Sequence, residues 1–188
     1  VTAVDTRGQI VAAADQLFYH HGYEHTSFAD IAAAVGLSRG NFYYHFKSKD
    51  AILDAVIDAR LADTRRMLEQ WEDEESTPAG RIMRYVEIVL TNRADIQDYG
   101  CPVGTLTMEL AKLEHAMLGR AGRLFTLFRT WLREQFALIG PAEQADASAM
   151  HVLAFSQGVA VMANAFRDET FIQREVERMR AWLHTYEK

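Results

Sequence analysis

A chain of 188 residues is one large domain or two small ones; with 49% hydrophobic residues it can bury a sizeable core, which excludes wholesale disorder. Its single cysteine, Cys101, excludes an intramolecular disulfide framework and suggests an intracellular setting. A formal net charge of −6, taken alone, argues against nucleic acid, whose binders usually carry a basic patch. No apolar run approaches the roughly 20 residues of a membrane span, and Val1 to Ile10 lacks the apolar block of a signal peptide. The expectation is a cytoplasmic chain with no membrane partner.

In chain order, Ile10, Ala13, Ala14, Leu17, Phe18 and His21 recur at the spacing of one face of an amphipathic helix. Ile82, Tyr85, Val86, Val89 and Leu90 repeat it, followed by Phe125, Phe128, Leu132 and Phe136, and by Ile172, Val176, Met179 and Leu183. The three prolines, Pro78, Pro102 and Pro141, fall between these stretches and mark boundaries. No period-2 alternation bounded by turn residues occurs, so the fold class is all-α. About nine helices are predicted, at roughly 5–21, 27–34, 38–45, 49–72, 79–95, 102–113, 117–139, 142–166 and 168–187. The first three are short and close together; the later ones suit an antiparallel helical bundle.

Residues 26 to 49 carry most of the chemistry. Ser27 and Asp30 have the spacing of a capping box at a helix start. Gly36 supplies a turn residue after that helix, and Ser38 can cap the next. Two short helices joined so tightly form a helix-turn-helix candidate, with Ile31, Ala32, Val35, Leu37 and Phe42 as its small core and Leu17 and Phe18 as cover. The plain alternative is an αα-corner in a bundle. From Ile31 to Lys49 there are three cations, Arg39, Lys47 and Lys49, and no acidic side chain. Ser38, Arg39, Asn41, Tyr43, Tyr44 and His45 lie within two turns, offering donors for phosphate oxygens and for base edges in a major groove. Gly40 leaves room for the backbone to approach a duplex, which gives a reason for a glycine inside a helix.

The run Thr26-Ser27-Phe28-Ala29-Asp30-Ile31-Ala32, then Gly36 to Lys49, resembles the DNA-binding domain of the TetR family of bacterial transcriptional regulators. The resemblance covers about the first 55 residues. It implies that Thr26, Tyr43, Tyr44, His45 and Lys49 meet phosphates and that Ser38, Arg39, Gly40 and Asn41 read or approach bases; Ser27 is counted with this DNA-binding set. It implies a domain at 1–50, a connecting helix at about 49–72 and a ligand-binding and dimerisation domain at 51–188. The Tyr99 to Leu106 stretch, followed by Glu109-Leu110, is similar to a pattern in one subgroup of that family.

Two motifs compete. Gly36-Leu37-Ser38-Arg39-Gly40 matches the nucleophile elbow G-x-S-x-G, but the preceding segment is helical and no sheet is predicted to expose the serine. His20, His21 and His25 cluster without helical i, i+4 geometry inside one helix, so no metal site is read there. No catalytic residue, cofactor or metal is expected. Cys101 reads as a small buried hydrophobe rather than a redox thiol.

In the C-terminal bundle the resemblance implies a pocket, with Met108, Phe125, Phe128, Trp131, Phe155 and Met162 as candidate lining and an apolar or aromatic small molecule as effector. The last two helices offer apolar surface for a second copy, through Ala160, Ala163, Phe171, Ile172, Val176, Met179 and Leu183. The whole implies a homodimer on a palindromic double-stranded DNA operator with half-sites roughly 34–36 Å apart. The function implied is that of a repressor released by its effector. The alternative is a helical effector-binding protein or enzyme that does not bind DNA.

The net charge divides unevenly. Residues 1–50 carry four Lys/Arg against five Asp/Glu, so most of the acidity belongs to the rest of the chain. Such an arrangement limits non-specific DNA binding, which is almost wholly electrostatic.

Overall fold

Side-chain caps set where the first five helices begin. In the computed structural model, which describes residues 5–168 and 170–186 and, of Arg39, only the backbone, helix α1 (Thr6–His21) starts where the Asp5 carboxylate accepts the Gly8 amide at 3.0 Å. Helices α2 (Phe28–Ala34) and α3 (Arg39–His45) begin at Ser27 and Ser38. Ser48 Oγ accepts the Ala51 amide at the head of the long helix α4 (Lys49–Glu74). Thr77 caps α5 (Pro78–Thr91), whose proline sits at the first helical position, where its missing N–H costs nothing.

The described residues are all-α, and two of the expected helices are interrupted. The stretch expected at 79–95 ends as α5 at Asn92, whose side-chain amide donates to the Ile88 carbonyl at 3.0 Å. A separate helix α6 (Arg93–Tyr99) follows it. Asparagine competes for its own helix's backbone in this way, so it serves both as the end of one helix and the start of the next. The stretch expected at 117–139 divides at Gly122 into α8 (Leu118–Ala121) and α9 (Arg123–Ala137), at one of the poorest helix formers. Between these lies α7 (Pro102–Lys112). The chain closes with α10 (Ala145–Phe166), entered through a short 3-10 turn, and α11 (Phe171–Leu183).

The chain packs as two compact units, residues 1–63 with 105–122, and residues 64–104 with 123–188. The first unit thus adds the front half of α4 and residues 105–122 to the three N-terminal helices. Its buried side chains include Ile10, Ala14 and Phe18 of α1, Ile31 and Ala32 of α2, Phe42 of α3 and Ile52, Leu53, Val56 and Ile57 of α4. Arg60 on α4 pairs with Asp15 on α1 at 2.6 Å.

In the second unit α10 packs against α9, α6 and α5, and α11 against α5. The core joins Ile82, Val86 and Val89 of α5, Phe128, Leu132 and Phe136 of α9, Val152 and Val159 of α10, and Ile172 and Val176 of α11. By length and composition alone, residues 142–166 would pass for a membrane span. Nine residues of α10 are nonetheless buried, the expected condition of a helix at the centre of a bundle.

Candidate nucleic-acid interface

The α2–turn–α3 unit is held by local chemistry. Ser27 Oγ accepts the Asp30 amide at 3.1 Å, while an Asp30 carboxylate oxygen accepts the Ser27 amide at 2.8 Å, a complete capping box. The Ser27 hydroxyl and then its amide hold the Asp30 carboxyl below its ordinary 3.8. Gly36 has φ +66, the left-handed conformation that lets the chain reverse between the helices, and the Leu37 amide returns to the Ala32 carbonyl at 3.0 Å. Ser38 Oγ accepts the Asn41 amide at 3.5 Å, so the serine of the G-x-S-x-G match is occupied as a helix cap.

Burial divides α3 into two faces. Phe42 is fully buried against Phe28, with ring centroids 4.6 Å apart, and Phe46 is buried beneath Arg7, whose guanidinium lies 4.5 Å from its ring. The other face is open. Gly40 and Asn41 are exposed, and nothing lies within 4 Å of where a Gly40 Cβ would be. Tyr43 is 48% exposed, stacked on Phe28 at 4.9 Å, and Tyr44, at 79%, is the most exposed large hydrophobic side chain among the described residues. His45 is half-buried, its ring 5.3 Å from that of Tyr44. Arg39 belongs to α3, but its side chain lies outside the described residues.

Two residues expected at phosphates have internal partners. Thr26 is buried, and its hydroxyl donates to the Gly22 carbonyl at 2.7 Å, which stabilises the loop after α1. Lys49 is half-buried, its ammonium donating to the Tyr23 carbonyl at 2.8 Å and the Glu24 carbonyl at 3.3 Å. Sequence reasoning missed the cluster around Tyr23: its hydroxyl donates to Asp50, and its ring lies 5.1 Å from that of His115. Burial, then the Asp50 carboxylate, pushes the Tyr23 phenol well above its ordinary value. No short-range pattern announces a contact between residues so far apart in the chain. Lys47, one of the three cations of this stretch, donates from its ammonium to the Tyr43 carbonyl at 2.5 Å.

The expected effector residues fall in different places. Phe128 and Trp131 are buried in the second unit's core, and Phe125 and Phe155 pack against it. Trp131 Nε1 donates to Glu72 at 2.7 Å, and the Phe128 ring meets that of Tyr85 edge-on at 5.1 Å. Met108, 62% exposed, belongs to the first unit, and Met162 lies on the outer face of α10. Cys101 is half-buried, and the Gln157 amide donates to its sulfur at 3.4 Å.

The residues expected to face a second copy turn inward. Ala160, Ala163, Ile172, Val176, Met179 and Leu183 are buried in the chain's own core, and Phe171 packs against it. The apolar stripe of α11 is therefore satisfied by α5 and α10 rather than left over. The outward face of α10 instead presents Met150, Ala154, Gly158, Val161, Met162 and Phe166.

Residues 10–56 match the family model described as bacterial regulatory proteins, tetR family. Over 94% of its length the chain is 27% identical to an uncharacterized HTH-type transcriptional regulator in the lacX 3′ region of Lactococcus lactis subsp. lactis, covering 92% of that protein. It is 38% identical over 73 residues to the HTH-type transcriptional regulator TtgR of Pseudomonas putida, a match spanning 39% of this chain and 34% of TtgR. Its fold is similar to that of a TetR transcriptional regulator from Legionella pneumophila, with a TM-score of 0.83 and 23% identity over 98% of both chains. A TetR-family regulator from Cytophaga hutchinsonii gives 0.82 at 20% identity, covering 96% of this chain and 94% of that one.

Proposed function

We propose that the chain, whose residues 10–56 match the tetR family of bacterial regulatory proteins, is a ligand-responsive repressor that leaves its operator when a small apolar or aromatic molecule binds the helical bundle. The observation that carries this reading is the division of α3, with Phe42 and Phe46 buried while Gly40, Asn41, Tyr43 and Tyr44 stand exposed. An exposed helix face with hydroxyl and amide donors and no acidic side chain suits a major groove, where such groups meet phosphates and base edges. Ser38, Arg39, Gly40 and Asn41 would approach the bases, and Tyr43, Tyr44, His45 and Lys49 the backbone. Thr26 and Ser27 would support the fold of this unit, since their hydroxyls are engaged within it.

A second copy of the chain would pack on the outward face of α10, whose Met150, Ala154, Gly158, Val161, Met162 and Phe166 recur at helical spacing without a charge. Two-fold symmetry would then present two α3 helices to a palindromic operator in the cytoplasm. The effector would act only through unequal affinity for the DNA-competent and released states, with a coupling of about 1–3 kcal/mol. Phe125, Phe128, Trp131 and Phe155 are the aromatic side chains nearest such a role.

A mobility-shift titration on the DNA upstream of the chain's own gene tests the reading. The expected result is a sequence-specific complex that weakens with salt and is lost in Arg39→Ala, with the oligomeric state unchanged. Salt-independent retardation, or none, would favour a helical effector-binding protein without a DNA role.

A further inference from the structure

One carboxylate holds the loop that leads from α1 to α2. Glu109 Oε2 accepts the Tyr23 amide at 2.9 Å, and Glu109 Oε1 accepts the Glu24 amide at 2.9 Å. Gly22, just before them, has φ +84, and a Cβ there would lie 3.0 Å from Glu109 Oε1. The backbone conformation thus favours glycine, and a Cβ there would crowd the carboxylate.

The carbonyls of the same two residues hold Lys49, at 2.8 and 3.3 Å, and its ammonium lies 4.2 Å from the centroid of the Tyr23 ring. These two carbonyls take two of the three donors of the ammonium, and the third can serve a phosphate oxygen. Asp50 accepts the Tyr23 hydroxyl and lies 3.5 Å from His115 Nε2, which fixes the ring on which Lys49 rests.

We propose that Glu109 is a positioning residue for DNA binding: it fixes the Tyr23 and Glu24 peptides, whose carbonyls in turn aim the Lys49 ammonium at a backbone phosphate. The proposal rests on the DNA-binding reading above. It also gives a reason for residues 105–122 to pack with the DNA-binding helices although α7 begins at Pro102 in the other unit. The Glu109 carboxylate of α7 thereby holds the peptides that orient a phosphate contact. Arg120 on α8 pairs independently with Asp54 and with Asp58, the latter at 2.7 Å, both on α4, so removing Glu109 leaves this segment docked.

The test uses the full chain and a duplex selected by the wild type from random sequences, with affinities read by fluorescence anisotropy over a KCl series. Glu109→Ala is expected to weaken binding about tenfold, the equivalent of one lost hydrogen bond to a charged group. The slope of log affinity against log salt should fall by about 0.9, one phosphate's share. The double variant Glu109→Ala/Lys49→Ala should bind no worse than Lys49→Ala alone. Glu109→Gln, which keeps one acceptor oxygen, should fall between, and the Tyr23 and Glu24 amides should exchange faster with deuterium in Glu109→Ala without DNA. Effects that multiply in the double variant, or an unchanged salt slope, would overturn the positioning role. Wild type that binds no duplex in a salt-dependent way overturns the DNA-binding reading itself, and this proposal with it.

Discussion

The Tyr85 hydroxyl lies 3.0 Å from Ser156 Oγ inside the second unit, joining α5 to α10 through a buried polar pair. Ser156 also donates to the Leu153 carbonyl at 2.8 Å, so the serine keeps a partner if the phenol is removed. The phenol has less to fall back on, and burial pushes its pKa well above the ordinary value, so it remains a neutral donor. Tyr85→Phe should therefore cost roughly 0.5–1.5 kcal/mol, and Ser156→Ala about 1–3 kcal/mol, because an unsatisfied buried group costs more than a lost bond. The double variant should be more stable than Ser156→Ala alone. Equilibrium urea unfolding of the three proteins checks the order.

Acid should loosen the start of α11. The Thr170 hydroxyl at 2.8 Å, the Thr170 amide at 2.9 Å and Arg174 at 2.8 Å hold the Asp168 carboxyl at about 2, from an ordinary 3.8. A carboxyl depressed in the folded state contributes stability that is complete above its unfolded value and lost as pH falls through its folded value. The contribution should thus be present above pH 3.8 and decline between 3.8 and 2. Melting temperature against pH should show a shallower acid limb in Asp168→Asn, with wild type the more stable above pH 3.8 and the two curves converging between 3.8 and 2. A parallel displacement of the whole curve would assign Asp168 a different role.

Thr26 and Tyr44 were expected in the same role, and their surroundings separate them. Thr26 is 2% exposed with its hydroxyl on the Gly22 carbonyl, whereas Tyr44 is 79% exposed. Thr26→Val should lower stability by about 1 kcal/mol, the net worth of a hydrogen bond, with an unchanged salt slope for operator binding. Tyr44→Ala should leave the folding stability within about 0.5 kcal/mol of wild type, as an exposed substitution, and weaken the operator complex. Calorimetry and anisotropy on the same two variants read both effects.

Local chemistry was legible where it was short-ranged. The Ser27–Asp30 box, the Gly36 turn and the burial of Phe42 each follow from spacing within a few residues, and all are present. The periodicity of α5 and α9 likewise marked which side faces the core. What spacing does not encode is what a helix packs against. The α11 stripe looked like surplus surface because α5 and α10 cannot be placed from a single helix's pattern. The Glu109–Tyr23 hydrogen bond spans 86 residues and leaves no periodic trace in either segment. The break at Asn92 was hidden because apolar residues precede it at helical spacing and Ile96 follows in the core.

The two faces of the closing helices make opposite predictions. Val161 is 59% exposed and Phe166 73% exposed on the outer side of α10, whereas Met179 of α11 is 5% exposed inside the core. A charge placed on an exposed position leaves the fold of one chain intact but would be buried without a partner when two copies pack there, which is strongly unfavourable. Val161→Glu should therefore shift the protein from dimer to monomer in sedimentation velocity, with the helical circular dichroism unchanged. Met179→Ala should instead lower folding stability by about 2–5 kcal/mol, the usual range for emptying a buried methionine site. Its effect on self-association should appear only through the fraction unfolded. A Val161→Glu protein that remains dimeric would remove α10 as the interface, and a Met179→Ala protein that dissociates while fully folded would return that role to α11.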